Sequence, residues 1–159
     1  MSIRKAKPGD LATVTDLTRR AYEHYVPIIG GEPMPMGEDY APRIADGQVS
    51  VLEYEGATAG LIVLEHCEDT LFIFSVAIAP DHQGKGLGQR LLSYAEDVAR
   101  RHGLRKVVLF TNAKMERNIA IYRRFGFIEM RRRAHPTSAG FVIVDMEKTL
   151  GSTDKRRSH

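Results

Sequence analysis

The stretch Val76-Ala77-Ile78-Ala79-Pro80-Asp81-His82-Gln83-Gly84-Lys85-Gly86-Leu87-Gly88 decides how this sequence is read. An apolar segment ends at a proline and gives way to alternating glycines. Glycine removes the Cβ where backbone must approach a ligand closely, and it permits the positive φ values that turn successive N–H groups toward one point. Leu87 opens a strongly periodic segment, so the same amides lie at the start of a helix, where unpaired donors and the helix dipole favour a phosphate. Spacing excludes two other phosphate loops. A P-loop requires Gly-Lys-Ser/Thr after an upstream glycine, but Lys85 is followed by Gly86; a dinucleotide fingerprint would place its third glycine at position 89, which is Gln89.

Working upstream, residues 71–79 read as the strand that delivers the chain to this turn. The Glu68-Asp69 turn joins it to a strand over 60–67, which pairs across Glu55-Gly56 with a strand over 49–54, giving an antiparallel meander. Residues 3–5 form a short extended start, and Pro8-Gly9-Asp10 is a turn whose Asp10 can cap the helix that follows. Leu11, Val14, Leu17, Ala21, Tyr22 and Tyr25 recur at helical spacing. Residues 26–37 contain three prolines and three glycines and predict a long loop, followed by a short helix over 38–45 that closes at Gly47.

Downstream, Leu87, Leu91, Ala95, Val98 and His102 share one helix face until Gly103, and residues 106–111 form a β-branched strand. Strand, glycine turn, helix and strand make the crossover unit that sets two strands parallel. A helix over 112–125 stops at Gly126, and residues 127–132 and 140–148 form a closing hairpin.

The totals set bounds. With 159 residues and 43% apolar content the chain can bury one core but hardly two, so a single domain over 1–149 is expected, with a polar, disordered tail over 150–159. No apolar run approaches the roughly 20 residues that span a bilayer, and the charged first residues lack a secretory h-region, which predicts a cytoplasmic protein with no membrane partner. The single cysteine, Cys67, suits a reducing compartment and reads as a small buried strand residue. A net charge of +3 from 23 basic and 20 acidic residues is too mild to argue for nucleic acid, but it leaves room for an anionic small ligand where basic groups cluster.

Gln83, Gly86 and Gly88 reproduce in full the acetyl-coenzyme A signature of the GNAT superfamily of N-acetyltransferases: Gln or Arg, two residues, Gly, one residue, Gly or Ala. A second segment, Asn118-Ile119-Ala120-Ile121-Tyr122 leading to Phe125-Gly126-Phe127, is similar to the superfamily's other signature. The resemblance extends over roughly residues 1–149 in element order. It implies an α/β (α+β) fold with a mixed, mostly antiparallel sheet of six to seven strands and helices on both faces.

The resemblance also implies roles. Val76, Ala77 and Ile78 would lie along the donor, and the backbone of Gln83, Gly84, Lys85, Gly86, Leu87 and Gly88 would hold its pyrophosphate, with Lys85 and Arg90 able to add charge. Asn112 and Asn118 would complete the donor site, Asn118 at the pantetheine arm. Asn118 and Tyr122 are four apart and share a helix face. Tyr122 beside the thioester sulfur can share a proton with the departing thiolate, since a phenol of pKa about 10 can donate as charge grows on a thiol of pKa near 8.5. An amine must lose a proton before attack. Glu65 or His66, on opposite faces of one strand end, or a water relay could take it, with Glu65 preferred. By the same resemblance this strand would bulge and splay from the next, exposing an amide from Ser75 to Ala77 that would meet the oxyanion. Tyr22, Tyr25 and Met36, with His24, Glu32 and Met34 nearby, would form the acceptor pocket, and His135 and the Arg131-Arg132-Arg133 run would border it. No metal is needed. The implied activity is transfer of an acetyl group from acetyl-coenzyme A to a primary amine, on a small molecule, an amino acid or a peptide or protein, by direct attack in a ternary complex; a catalytically silent acyl-coenzyme A sensor is the alternative. A homodimer is an open possibility.

Overall fold

The computed structural model describes residues 1–135 and 140–151. One seven-stranded sheet runs through it: β1 (Ser2–Lys5), β2 (Val49–Tyr54), β3 (Ala57–Cys67), β4 (Thr70–Ile78), β5 (Lys106–Asn112), β6 (Ile128–Ala134) and β7 (Val142–Thr149), in the order β1-β2-β3-β4-β5-β7-β6. Only β4 and β5 are parallel, because a helical crossover joins them; every other neighbouring pair is antiparallel. The closing hairpin folds so that β7, not β6, lies against β5.

Helices cover both faces. α4 (Leu87–Arg101) and α5 (Glu116–Phe125) turn Leu87, Leu91, Ala95, Ala99, Ile119 and Tyr122 onto a core that includes Ile62, Leu71, Val107 and Val144. On the other face α1 (Leu11–Tyr22), α2 (Val26–Ile29) and α3 (Ala41–Ala45) bury Val14, Leu17, Tyr22, Ile29 and Ile44 against Val49, Val51, Leu61 and Val63. The two stripes are the helical periodicities of the sequence, each meeting an apolar sheet face.

Two irregularities in β4 shape everything that follows. Its parallel pairing with β5 stops after Thr70↔Lys106, Leu71↔Val107 and Phe72↔Val108, so the strands diverge beyond Phe72. Its pairing with β3 jumps from Val63↔Ser75 to Leu64↔Ile73, which leaves Phe74 as the extra residue of a β-bulge. One extra residue exchanges the faces of a strand. Accordingly Leu71 and Ile73 pack with α4, whereas Ala77 and Phe74 pack with α1, and Val76 and Ile78 return to the α4 side.

Several expectations are corrected. The proline-rich segment 26–37 is not all loop: α2 and a 3₁₀ turn at Met34–Gly37 form within it, because Pro27 and Pro35 occupy first-turn positions where the missing N–H is not needed, and Gly30 ends α2 at φ 83°. The expected helix over 38–45 is confined to α3; the Asp39 carboxylate instead accepts from the Ala41 amide at 3.1 Å. The helix expected from 112 starts at Glu116, since Asn112 ends β5 and its Oδ1 accepts from the Lys114 amide at 2.9 Å. Asp10 stands before α1 without capping it; its carboxylate takes the Lys7 amide at 2.7 Å and the Arg4 guanidinium at 2.9 Å. Cys67 is exposed at the end of β3 rather than buried. Leu150 belongs to the core, its amide donating to the Arg105 carbonyl at 2.9 Å, so the polar tail begins after it; residues 152–159 of that expected tail lie outside the described residues.

Candidate active site

Where β4 and β5 part, the sheet opens into two cavities that share Tyr22, Asn118 and Tyr122. The larger, about 700 Å³, runs from the glycine turn along β4 to α5. The smaller, about 250 Å³, lies between the diverging strands, the 26–37 segment and β7.

The glycine turn has the geometry expected of an anion cradle. Gly84 and Gly86 have φ of 83° and 78°, a region that L side chains rarely adopt, and Gly86 caps the start of α4. Gly88 has no such need, and a Cβ at Gly84, Gly86 or Gly88 would meet nothing within 4 Å. Gly88 is therefore required neither by φ nor by internal packing, which leaves ligand approach to account for it. Among the described residues the amides of Gly84, Lys85, Gly86, Leu87 and Gly88 donate to no backbone carbonyl, and only Gln83 does so, weakly, at 3.4 Å to Pro80. The Gln83 side chain reaches back to the Ile78 carbonyl at 3.2 Å and holds the loop against the end of β4.

Of the residues expected to bind the donor, Val76, Ala77, Ile78, Gln83, Gly84, Gly86, Leu87, Gly88, Asn118 and Tyr122 line the larger cavity. Lys85 does not: its ammonium lies 5.3 Å above the Tyr54 ring and 3.4 Å from His82 Nδ1. Asn112 lines the smaller cavity instead. Two arginines not singled out by the motifs, Arg117 and Arg124, also line the larger cavity. Their spacing of seven, two helical turns, was the available signal.

Tyr122 stands where the cavities meet. It is buried, with its ring edge-on to Phe127 at 5.9 Å, and its hydroxyl makes no hydrogen bond to any described residue. Burial, and then the nearby Tyr22 and Tyr25 hydroxyls, push its pKa well above the ordinary phenol value. The group is thus a proton carrier at every physiological pH, with an unused donor. Tyr22 differs: although burial raises its pKa too, its hydroxyl donates to the Val76 carbonyl at 2.8 Å. Tyr25 donates to Asn118 Oδ1 at 3.2 Å and lines the larger cavity, not the smaller.

The residues expected around the acceptor separate. Tyr22, Glu32, Met34 and His135 line the smaller cavity, while Met36 packs against the core beside α1. Glu65 reaches neither cavity, and nor does His66, whose ring lies against His102. The Glu65 carboxylate accepts from Arg43 Nη1 at 2.5 Å, and Arg43 Nε donates to Glu38 at 2.6 Å while its guanidinium covers the Phe74 ring at 4.0 Å. The Arg131 to Arg133 run is likewise engaged, Arg131 and Arg133 by Asp145 and Arg132 by Glu129. Beyond Phe72, those β4 amides that face β5 have no strand partner, and Ser75 lines the smaller cavity at this point. Among the described residues no group of three or more His, Cys, Asp or Glu side chains could hold a metal ion, and no helix is long and apolar enough to cross a membrane.

Comparison with known proteins agrees with this geometry. Residues 12–127 match the profile of the Acetyltransferase (GNAT) family. The chain is 32% identical over 91 residues to the [ribosomal protein bS18]-alanine N-acetyltransferase of Escherichia coli strain K12, an alignment covering 56% of this chain and 62% of that protein. It is 27% identical over 145 residues, 80% of each chain, to the L-amino acid N-acyltransferase MnaT of the same strain. Among solved structures, PaiA N-acetyltransferase from Thermoplasma acidophilum in complex with coenzyme A superposes with a TM-score of 0.75 over 94% of this chain and 98% of that one at 18% identity. YncA from Salmonella typhimurium with acetyl-CoA gives 0.72 over 95% and 94% at 24% identity. With more than half of its length matched by the profile, the chain belongs to the acetyltransferase (GNAT) family.

Proposed function

We propose that the protein transfers an acetyl group from acetyl-coenzyme A to a primary amine by direct attack within a ternary complex. One observation carries the reading: the larger cavity is continuous from amides without acceptors at Gly84 to Gly88 to an unpaired phenol at Tyr122. That length suits a donor with a diphosphate at one end and a thioester at the other.

The amides of the turn bind the diphosphate, aided by the dipole of α4 and the charges of Arg117 and Arg124. Asn118 and the fork-facing edge of β4 orient the arm so that the thioester carbonyl lies between the cavities, where an unpaired β4 amide stabilises the charge that develops on its oxygen. The amine enters from the smaller cavity. Its nitrogen forms a bond to the carbonyl carbon as the carbon–sulfur bond breaks, and the proton leaving nitrogen ends on the thiol. With Glu65 held by Arg43, water in the cavity is the better carrier for that proton. Tyr122 donates a hydrogen bond to the departing sulfur. Its raised pKa makes complete transfer to a thiolate unfavourable, so it shares its proton while charge is on sulfur and keeps it afterwards.

Release of free thiol from acetyl-coenzyme A in the presence of a panel of primary amines tests the reading. Steady amine-dependent turnover is expected. Tight acetyl-coenzyme A binding with no turnover on any amine would instead favour a sensor.

A further inference from the structure

The smaller cavity carries a chemical bias of its own. Its walls are largely apolar, with Ile29, Met34, Phe74, Phe110, Phe141 and Ile143 among them. Among the described residues one carboxylate, that of the exposed Glu32, lines the cavity, and neither arginine nor lysine does. Several polar groups that reach it are already engaged: the Tyr22 hydroxyl by Val76, Asn118 Oδ1 by Tyr25, and Asn112 Oδ1 by the Lys114 amide. An ammonium group approaching the rim meets Glu32. Among the described residues a carboxylate seated inside meets no arginine or lysine and only the His135 imidazole, and a poorly paired buried charge is strongly disfavoured.

Its shape is equally selective. A Cβ at Gly31 would stand 3.3 Å from Phe141 Cζ, so the ring before β7 lies close to the chain after α2, with room there for little more than glycine. Phe141 lines the cavity, as do Ile29 and Glu32 on either side of Gly31, so this close approach lies at its edge. At about 250 Å³ the space falls just below the roughly 300–1,000 Å³ of sites for drug-sized ligands. A seat of that size suits one compact group, whereas a peptide needs a channel through which its chain can continue.

Resting on the acetyl-transfer reading above, we infer that the acceptor is a small primary amine on an uncharged apolar skeleton, an aryl- or alkylamine without a carboxylate, and that the Phe141 ring in the wall narrows the seat against peptides. The purified protein with acetyl-coenzyme A is assayed for thiol release with phenethylamine, phenylalanine, a tripeptide beginning in phenylalanine, and spermidine. The kcat/KM for phenethylamine should exceed that for phenylalanine by about a hundredfold or more, as expected where a carboxylate must be buried unpaired. Equal or better turnover of phenylalanine, the tripeptide or spermidine overturns the inference. If no amine is turned over although acetyl-coenzyme A binds, the catalytic reading fails separately; calorimetric titration of phenethylamine into the coenzyme A complex then decides the cavity, and no binding overturns the inference as well. Phe141→Ala, which removes a half-buried ring from the cavity wall, should raise the tripeptide to phenethylamine ratio by about tenfold; an unchanged ratio overturns the claim that Phe141 narrows the seat.

Discussion

The two cavities that meet at Tyr122 are built from different materials. The larger is largely a backbone site: amides of the glycine turn, the unpaired edge of β4 and the start of α4. The smaller is a side-chain site, walled by aromatic and aliphatic groups brought from the 26–37 segment, β4, β5 and β7. Backbone sites need particular φ values and particular bare Cα atoms, and so they leave a mark in the sequence. Side-chain sites need only shape, which many residue combinations supply, and shape is decided by tertiary packing.

The sharpest way to break this contrast is to spoil the backbone site with one side chain. Gly86→Glu puts a side chain at φ 78° and a carboxylate where the diphosphate belongs, although no internal clash opposes it. Isothermal titration should find acetyl-coenzyme A affinity reduced by more than about a hundredfold with the fold intact by circular dichroism. Affinity within threefold of the parent would mean that the turn is merely a strand-to-helix connection. A change at the junction comes next. Tyr122→Phe should lower kcat by roughly a hundredfold, as for a lost proton-sharing group, and leave the acetyl-coenzyme A dissociation constant nearly unchanged. If kcat holds, the ring only packs.

On the side-chain cavity the effects should be smaller. Arg43 braces the bulge residue Phe74 from behind, so Arg43→Leu should raise the KM for the amine by about fivefold, the scale of one partly shielded cation–π contact, without touching donor affinity. Equal weakening of donor and acceptor would show that the two cavities are not separable. The smallest effect is an expected absence. A phenol whose pKa is raised keeps its proton beyond pH 10, so the kcat profile should show no alkaline fall centred near the ordinary phenol value. Such a fall that disappears in Tyr122→Phe would overturn the assignment of a raised pKa.

How much could be read from sequence follows the same line. The meander, the crossover from β4 through α4 to β5, and the glycine turn rest on local signals, and each appears in the fold. The bulge at Phe74 was expected from the family resemblance alone, because 71–79 is apolar at both parities and a reversal of faces leaves no break in the pattern. The helical turns within 26–37 were hidden because proline and glycine signal loops when only counted, whereas Pro27 and Gly30 stand at helix-compatible start and end positions. Glu65 looked available because its partner, Arg43, is 22 residues away and meets it only after β3 and α3 are packed. Arg117 and Arg124 carried a spacing but no motif.

The brief contact between β4 and β5 has one more consequence. A sheet joined at its middle by three rungs is an unfinished ladder, and the donor's pantetheine arm, which contains two amide groups, has the chemistry to supply rungs of its own. The protein would then complete its sheet only while it carries its substrate. Deuterium uptake should report this directly: amide hydrogens of residues 73–78 that face the gap should exchange freely in the empty protein and slow when coenzyme A is added, while those paired with β3 stay protected throughout.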